Sequence, residues 1–368
     1  MTSLRTRALV HSTPDGLTVR ELDVRAPRGD EVRVRVRASG VCHSDLHLID
    51  GDWPSDEELV PGHEAAGVVE SVGDDVLGLQ PGDHVVLSWF PPCGDCVACG
   101  RGQQWLCTGN MCNEHRLPDG GTAYSADGRD VFPFIGVGAL SEYVVVPEAA
   151  AVKVPDELPF EIGALIGCSV ATGVGAVVNT AGVSAGQAAV VIGCGGVGQA
   201  TIAGLALVGA SPIIAIDLSA ERLEAARGVG ATHVVDGGAS DVAAQVAAIA
   251  AEGVDFVFEA VGHVATISQA IALVAPGGAV VLEGLTAADR AVPLDAYAVA
   301  AEGKRILGCN YGSTVAARDF PRLASQYLSG ELPLDTLVGP RISLPDAIGA
   351  FEDMRRARGG RAVVVFGE

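Results

Sequence analysis

The first third of the chain has the hydrophobic pattern of short strands separated by turns. Polar and apolar residues alternate with a period of two over residues 31–38, which is typical of a half-buried strand. Two further β-branched runs, residues 65–72 and 84–87, are closed by glycine and aspartate turns. This pattern predicts a mostly antiparallel, barrel-like β domain. Residues 108–138 lack such periodicity and are predicted to form a long loop.

After Gly182 the pattern changes to short apolar runs that alternate with helical segments. The six predicted strands cover residues 188–192, 213–217, 233–236, 256–260, 279–283 and 305–309. Strands alternating with helices predict an α/β fold with a doubly wound, parallel six-stranded sheet of the Rossmann type. The tail returns to a helix, a turn, a second helix and a strand over residues 361–366. We therefore expect one domain of residues 1–168 and 312–368, and another of residues 169–311.

Residues 162–216 contain no charged side chain. A membrane-spanning helix needs roughly 20 consecutive apolar residues. Glycines, Asn179 and Pro212 interrupt this stretch, which we therefore interpret as a buried α/β core with strands and helices covered on both faces.

The charge of the chain limits its partners. The 368 residues include 24 Lys and Arg against 45 Asp and Glu, a formal net charge of −21. Phosphate backbones and acidic membrane surfaces both attract basic proteins, so neither nucleic acid nor membrane is an expected partner. Residues 1–7 are not followed by the apolar core of a secretory signal, and we expect a cytoplasmic protein.

The cysteines point to a metal site. Reduced compartments keep thiols free to bind metals, and Cys93, Cys96, Cys99 and Cys107 follow the spacing C-x2-C-x2-C-x7-C. Four thiolates in one small lobe form a closed, structural zinc site. The alternative is an iron–sulfur cluster, although the ferredoxin pattern continues as C-x3-C-P. Cys112 lies nearby and is expected to be unligated.

A glycine-rich turn predicts a dinucleotide site. Gly193, Cys194, Gly195, Gly196, Val197 and Gly198 form G-x-G-x-x-G between an apolar strand and a helix. Such a turn lets the backbone and the helix N-terminus approach a pyrophosphate. Asp217 ends the next strand, where its carboxylate can bind an adenosine ribose and repel a 2′-phosphate, so NAD is preferred over NADP. The alternative is that Asp217 only caps the helix beginning near Ser219.

Cys42, His63 and Cys168 are scattered, and each alone is compatible with a buried thiol or core histidine. Together with their surroundings they resemble the zinc-dependent alcohol dehydrogenases of the medium-chain dehydrogenase/reductase superfamily. The resemblance covers the chain and is closest in wording to the actinobacterial branch that includes mycothiol-linked formaldehyde and nitrosothiol enzymes. Its motifs are GVCHSDLH (40–47), PGHEAAGVVESVG (61–73), the four-cysteine lobe, LIGCSVATG (165–173), VIGCGGVG (191–198), RDFPRL (318–323) and RAVVVF (361–366).

The resemblance implies a GroES-like catalytic domain with a catalytic zinc on Cys42, His63 and Cys168, in addition to the structural zinc and an NAD-binding Rossmann domain. The fourth zinc position is left for water or the alcohol oxygen. In the catalytic group, Asp45 would orient the zinc-bound histidine, Glu64 would lie behind the metal, and Ser44 and His47 would form a proton relay.

By the same resemblance, Thr172 and Val197 pack near the nicotinamide, Arg222 joins Asp217 at the ribose, and His43 and Arg361 face the pyrophosphate. Three residues depart from the family pattern. His43 replaces an arginine of several members, Thr286 replaces a hinge proline of the liver-type enzymes, and Glu283 lies on the same strand as Thr286.

The resemblance places Trp53, Trp89, Phe134 and Leu285 at the substrate cleft. A bulky apolar wall favours primary aromatic, allylic or other apolar alcohols, oxidised reversibly to aldehydes with NAD. One alternative is a thiol-dependent enzyme that oxidises S-hydroxymethyl conjugates or reduces S-nitrosothiols. A second, of another class, is a non-catalytic zinc protein or nucleic-acid binder. The family also implies a homodimer, built partly by residues 291–301, or a homotetramer.

Overall fold

Two compact units make up the chain in the computed structural model, which describes residues 3–13, 15–53, 55–109, 114–286, 290–356 and 361–367. The first unit comprises Met1–Cys168, Val315–Leu328 and Val338–Glu368, and the second comprises Ser169–Thr314 and Ser329–Leu337. The sequence-based division assigned residues 312–314 and 329–337 to the first domain instead. Cys112 lies outside the described residues.

The secondary structure of the described residues begins with short strands and continues with alternating strands and helices. The strands are β1 (Leu4–Ser12), β2 (Gly16–Val24), β3 (Glu31–Gly40), β4 (Leu59–Val60), β5 (Glu64–Val72), β6 (His84–Leu87), β7 (Tyr124–Ala126), β8 (Arg129–Pro133), β9 (Tyr143–Pro147), β10 (Ala151–Lys153), β11 (Ala189–Ile192), β12 (Ile213–Asp217), β13 (His233–Asp236), β14 (Phe256–Glu259), β15 (Ala279–Leu282), β16 (Arg305–Gly308), β17 (Arg341–Ile342) and β18 (Val363–Val365). The α-helices are α1 (His43–Ile49), α2 (Val97–Gly100), α3 (Phe160–Leu165), α4 (Ala171–Gly175), α5 (Gly196–Leu207), α6 (Ala220–Gly228), α7 (Val242–Ile249), α8 (Val264–Leu273), α9 (Ala296–Glu302), α10 (Ala316–Leu328) and α11 (Ala347–Arg355).

The first unit contains a closed barrel and a larger sheet. The barrel has the strand order β1-β2-β7-β8-β4, and β4 closes it by pairing with β1. The larger sheet has the order β10-β6-β5-β3-β18-β17, and β9 also pairs with β3. Most pairs are antiparallel, as the period-two pattern predicts, whereas β4–β8 and β17–β18 are parallel. The predicted barrel-like domain is therefore confirmed.

The predicted long loop over residues 108–138 is partly wrong. Strands β7 and β8 form an antiparallel hairpin within it, in which Ala126 pairs with Arg129. Asp127 and Gly128 make the two-residue turn with φ angles of 51° and 75°. Both angles are positive, which is the geometry of the hairpin turns that Asp-Gly favours.

Strand β3 is more deeply buried than its alternating pattern predicts. Val32, Val34 and Val36 are fully buried on one face, in the core of the first unit. On the other face Arg33 is only 5% exposed, and its Nε donates to Glu70 Oε2 at 2.7 Å. A buried guanidinium needs such a partner because removing it from water is costly. The alternation thus identifies the strand but not the burial of its polar face.

The second unit is built on the predicted parallel sheet of six strands, in the order β13-β12-β11-β14-β15-β16. Strand β11 is central and pairs in parallel with both β12 and β14. Its four residues are all buried, as expected for a strand covered by helices on both faces. The strand order reverses between β11 and β14, and ligands of open α/β sheets bind at the carboxyl ends of strands at such a reversal.

The uncharged stretch begins in a long apolar helix. Phe160–Ala181 is continuously helical and is long and apolar enough to cross a membrane by length and composition. Of its most apolar window, 89% is buried inside the protein, as in a core helix. Two segments of it are π-helical, Ile166–Val170 and Ala176–Ala181. Single π-helical turns inside helices often coincide with functional sites.

Shortening a fully buried side chain of the parallel sheet should strongly destabilise the protein. Phe258 in β14 is 0% exposed, so Phe258→Ala leaves a cavity that its neighbours cannot fill. We expect a loss of about 3–5 kcal/mol in the free energy of unfolding, measured by chemical denaturation. Leu77→Ala is the control, because Leu77 is 94% exposed. Equal stability of the two variants would contradict this assignment of the core.

Candidate active site and metal centres

Three segments of the first unit bring together Cys42, His63 and Cys168. Cys42 is the N-cap of α1, His63 directly precedes β5, and Cys168 lies in the π-helical turn Ile166–Val170. Gly167 makes the close approach possible, because a Cβ there would lie 2.7 Å from the carbonyl oxygen of Leu87 at the end of β6. The helix can therefore rest on the strands, and Cys168 reaches the histidine.

The resulting cluster has the donor atoms of a metal site. Cys42, His63, Glu64 and Cys168 are all buried and offer ligand atoms that lie within 4.8 Å of one another. Cys168 Sγ lies 3.4 Å from His63 Nε2. Two thiols, one imidazole and one carboxylate are a donor set that zinc accepts. The residues thus fit a zinc ion. The structure brings the three predicted ligands together, with Glu64 as an additional nearby oxygen donor.

Asp45 fixes the orientation of the histidine. Its Oδ1 lies 3.3 Å from His63 Nδ1 and accepts a 2.7 Å hydrogen bond from the backbone N–H of Gly62. Burial opposes a charged imidazole, but Asp45 and Cys42 raise the pKa of His63 well above its ordinary value. A carboxylate on Nδ1 leaves Nε2 directed at the sulfurs, which is how metal-binding histidines are commonly held.

Arg361 adds a positive charge behind this cluster. Its Nη1 donates to Glu64 Oε1, and its Nη2 lies 3.7 Å from Cys42 Sγ. Burial raises the pKa of Glu64 to about 7, while the Arg361 charge opposes that rise. The hydrogen bond from Cys168 lowers the pKa of Cys42 well below its ordinary value. The pocket therefore favours a thiolate at Cys42, the form that binds metal.

The two predicted relay residues lie on α1. Ser44 Oγ is 3.8 Å from Cys42 Sγ, and His47 is partly exposed one turn further along the helix. His47 Nδ1 lies 2.7 Å from Asp52 Oδ2, and its ring packs 5.1 Å from that of Trp53. Sequence reasoning missed Asp52, because it follows the end of the helix and shows no helical spacing with His47.

The predicted substrate residues differ in exposure. Phe134 is fully buried and packs 6.4 Å from Trp53 and 6.0 Å from His63, measured between ring centroids. The Trp89 ring lies 6.4 Å from His63 in an edge-on arrangement. Leu285 belongs to the second unit and is 62% exposed. Within the first unit, the rings of Phe134 and Trp89 thus lie beside His63.

The four-cysteine lobe forms a second, more exposed cluster. The ligand atoms of Cys93, Cys96, Cys99 and Cys107 also lie within 4.8 Å of one another. The sulfurs are free thiols, and Cys96 Sγ lies 3.9 Å from Cys107 Sγ. The backbone N–H of Cys93 donates to Cys107 Sγ, and that of Cys99 donates to Cys96 Sγ. The hydrogen bond from the Cys99 N–H lowers the pKa of Cys96 to about 5. Four sulfurs in one cluster fit a structural zinc.

The glycine-rich turn of the second unit connects β11 to α5. Gly193 has a φ of +93°, which a side chain rarely adopts, and a Cβ on Gly198 would overlap the carbonyl oxygen of Gly193. Gly195 is the N-cap of α5, and Gly195, Gly196 and Val197 are only partly buried. The first N–H groups of α5 therefore remain available to an anion.

Asp217 lies at the end of β12 and faces this turn. Its Oδ2 accepts from the backbone N–H of Cys194 at 2.7 Å, and its Oδ1 accepts from Ser219 N–H at 2.9 Å. The N-cap of α6 is Ser219, whose side chain accepts from the N–H of Arg222. Asp217 is therefore held by two backbone donors rather than acting as the helix cap itself.

The remaining cofactor candidates lie on helices or beside them. Thr172 is buried in α4, next to Gly173, where a Cβ would lie 2.6 Å from the carbonyl oxygen of Val197. Arg222 is half-buried in the first turn of α6. His43 begins α1 in the first unit and is exposed, whereas Arg361 of that unit is engaged by Glu64. Their roles toward NAD stay predictions.

Comparisons with known proteins agree with this combination of fold and cysteine–histidine clusters. The family model described as "Alcohol dehydrogenase GroES-like domain" matches residues 28–156, and "Zinc-binding dehydrogenase" matches residues 196–329. Together they span more than half of the chain. The chain belongs to the zinc-dependent alcohol dehydrogenases of the medium-chain dehydrogenase/reductase superfamily.

Individual relatives cover the chain from end to end. The "NDMA-dependent alcohol dehydrogenase" of Amycolatopsis methanolica is 36% identical over 97% of this chain and 98% of its own length. The "S-(hydroxymethyl)glutathione dehydrogenase" of Paracoccus denitrificans is 32% identical over 99% of this chain and 100% of its own. The crystal structure of benzyl alcohol dehydrogenase from Acinetobacter calcoaceticus has a TM-score of 0.92 at 30% identity, and covers 99% of this chain and 100% of its own.

The two clusters predict a metal content of two zinc ions per chain. Cys42→Ser should lower it to one and abolish turnover, because the buried site loses a thiolate. Cys99→Ser should also leave one zinc, held by Cys42, His63 and Cys168. Elemental analysis of the purified proteins measures both. Cys309→Ser is the control, since Cys309 is a buried cysteine outside both clusters. Two zinc ions in Cys42→Ser would show that this residue is not a ligand.

Proposed function

We propose that this alcohol dehydrogenase uses NAD and two zinc ions to oxidise primary alcohols with a bulky apolar body, reversibly, to aldehydes. The observation that carries the proposal is the buried set of Cys42, His63 and Cys168, with His63 oriented by Asp45. A zinc ion bound there would supply Lewis acidity that favours loss of the alcohol proton. The nicotinamide of NAD would accept the hydride.

The residues of the first unit then have separate tasks. Cys42, His63 and Cys168 would hold the metal, and Asp45 keeps the His63 ring in position through Nδ1. Arg361 offsets the negative charge of Cys42 and Glu64. The whole set is buried, so that its charges act at a lower dielectric than in solution.

His47 supports a route for the proton. Asp52 holds Nδ1 of the ring and leaves Nε2 free to accept, with Ser44 as the predicted hydroxyl that passes the proton on. The His47 side chain is 36% exposed, so the proton can continue to solvent. Histidine suits this role because its charge changes near physiological pH.

The second unit would bind the cofactor. The turn from Gly193 to Gly198 offers the N–H groups of α5 to the pyrophosphate, and Asp217 is fixed where it can accept from a ribose hydroxyl. A 2′-phosphate would meet the same carboxylate. These features support NAD over NADP.

Aromatic side chains near His63 support an aromatic or other apolar substrate. Trp89 and Phe134 lie beside the histidine, Trp53 packs on Phe134, and a structure with 30% identity is a benzyl alcohol dehydrogenase. The alternative substrate class, S-hydroxymethyl conjugates of a thiol, is favoured by the Paracoccus relative. A homodimer remains part of the proposal, supported by the exposed Tyr297 in α9 and by β16 at the sheet edge. A cytoplasmic location is proposed on the sequence alone.

A turnover assay with benzyl alcohol tests the proposal. We expect reduction of added NAD, with a kcat/KM at least about tenfold higher for NAD than for NADP, because Asp217 repels the extra phosphate. Cys42→Ser should be inactive in the same assay.

Two further assays, one with formaldehyde and a carrier thiol and one with NDMA, decide between the candidate reactions. Turnover of formaldehyde only in the presence of a carrier thiol, without turnover of benzyl alcohol, would favour the thiol-adduct enzyme. Turnover with the acceptor NDMA but not with added NAD would overturn NAD as an exchangeable co-substrate, an outcome relevant to the Amycolatopsis relative.

The relay predicts a pH-dependent loss of rate in His47→Gln. Without the imidazole, kcat should fall by about tenfold or more near pH 6.5 and by less near pH 9, where hydroxide can take the proton. Asp52→Asn should have a smaller effect in the same direction, since the amide oxygen can still accept from Nδ1 but lacks the negative charge of the carboxylate. His233→Gln, an exposed histidine of the second unit, is the control. An unchanged pH profile in His47→Gln would remove His47 from the relay.

A further inference from the structure

Glu283 is a buried carboxyl group that the proposed mechanism does not use. It directly follows β15 at the carboxyl end of the parallel sheet and is 8% exposed. Its backbone N–H donates to the carbonyl of Glu259, which ends the neighbouring strand β14. The side chain therefore lies at the sheet edge where ligands of such folds bind.

The contacts of Glu283 depend on where one proton lies. Thr201 Oγ1 in α5 is 3.1 Å from one Glu283 oxygen and 2.9 Å from the other, and 3.0 Å from the carbonyl oxygen of Val197. A threonine hydroxyl has a single proton to donate. If Glu283 is ionised, that proton must go to the carboxylate and the Val197 carbonyl loses this bond. If Glu283 is neutral, its O–H donates to Thr201 Oγ1, and Thr201 donates to Val197.

The neighbouring Glu259 is held quite differently. It is fully buried and accepts from the backbone N–H groups of Val261 and Gly262 and from Thr266 Oγ1. Three donors are the environment of an ionised carboxylate. Among the described residues, Glu283 instead contacts one hydroxyl that it shares with the Val197 carbonyl, an environment that suits a neutral carboxylic acid.

The other groups around Glu283 agree with a neutral side chain. Burial, and next the charge of Glu259, raise the pKa of Glu283 well above its ordinary value, against the hydrogen bond from Thr201. Cys309, just beyond β16, also faces it, and burial together with Glu283 raises the pKa of that thiol to about 12. Among the described residues, the titratable groups that face Glu283 from neighbouring strands are Glu259 and Cys309. Thr201 faces it from α5 and is not titratable.

We propose that Glu283 is a positioning residue for the cofactor, which as a neutral carboxylic acid donates to Thr201 and lets the Thr201 hydroxyl hold Val197 in the glycine-rich turn. This inference rests on the proposed binding of NAD by the second unit. Ionisation of Glu283 turns the Thr201 hydroxyl away from Val197 and adds a buried negative charge near a site for pyrophosphate. The affinity for NADH therefore falls as the pH rises.

The test measures the NADH dissociation constant by fluorescence titration from about pH 6 to about pH 10 in the zinc-loaded protein. Glu283→Gln keeps a neutral donor and acceptor but cannot ionise. We expect wild type to lose at least about fivefold more affinity over this range than Glu283→Gln, a change equivalent to one hydrogen bond. Glu252→Gln, an exposed glutamate of the same unit, should follow wild type. Identical pH profiles for wild type and Glu283→Gln overturn the proposal.

Thermal stability gives a readout that does not need the cofactor. A carboxyl whose pKa is raised by folding destabilises the fold increasingly as the pH rises above its value in the unfolded chain, about 4.3. The melting temperature of Glu283→Gln should therefore rise relative to wild type from about pH 5 upward. A constant difference overturns the neutral Glu283. Absence of NADH binding by wild type at every pH would instead overturn the proposed cofactor, and the thermal readout would still decide the state of Glu283.

A second variant, Thr201→Val, tests the same hydrogen bonds and can be measured even if Glu283→Gln does not fold. Thr201→Val removes the hydroxyl at nearly constant volume and breaks the connection between Glu283 and Val197. The NADH dissociation constant near pH 7 should increase by about fivefold. An unchanged dissociation constant overturns the proposal.

Discussion

The buried pairing of Arg361 with Glu64 is the constraint on which the arrangement of the first unit depends. Both side chains lie at or below 9% exposure, and an unpaired charge at that depth would be strongly destabilising. The pair connects a residue two positions before β18 to the first residue of β5. The C-terminal segment must therefore return to the first unit, where β18 pairs with β3 beside Cys42.

The buried polar side chains around His63 are held in place by hydrogen bonds to one another and to the backbone. Asp45 binds His63 and a backbone N–H, Arg361 binds Glu64 and approaches Cys42, and Cys168 lies against the imidazole. These contacts set the direction of the His63 ring and of the Glu64 carboxylate. The second unit follows the same rule with different chemistry, because Asp217 and Glu259 are both held by backbone N–H groups beside glycine-containing turns.

Much of this could be predicted from the sequence because the signals are local. The six strands of the parallel sheet are short apolar runs, and their predicted ends differ from the observed ones by at most one residue. The four cysteines and the glycine-rich turn are also local patterns. The hairpin of β7 and β8 was missed although Asp127-Gly128 is a recognised turn signal, because its flanking residues are not strongly apolar.

Contacts between distant parts of the chain could not be predicted. Neither the bond of Glu283 to Thr201 nor that of Arg33 to Glu70 has a sequence spacing that announces it. Glu283 and Arg33 are polar residues in strands that the sequence pattern predicts. The pattern identifies the strand, but it does not identify the residue that pairs with the polar side chain. The cysteine–histidine cluster is of the same kind, since only the fold or the family resemblance shows that residues 42, 63 and 168 belong together.

X-ray absorption at the zinc edge of the fully loaded protein tests whether the cysteine–histidine cluster is a second zinc site. One site offers four cysteine sulfurs, while the other offers two cysteines with a histidine and an oxygen donor. If both sites bind zinc, we expect an average of about three sulfur donors per zinc, with nitrogen or oxygen completing the coordination shell. An average of about four sulfur donors would contradict it, because all bound zinc would then occupy the four-cysteine lobe.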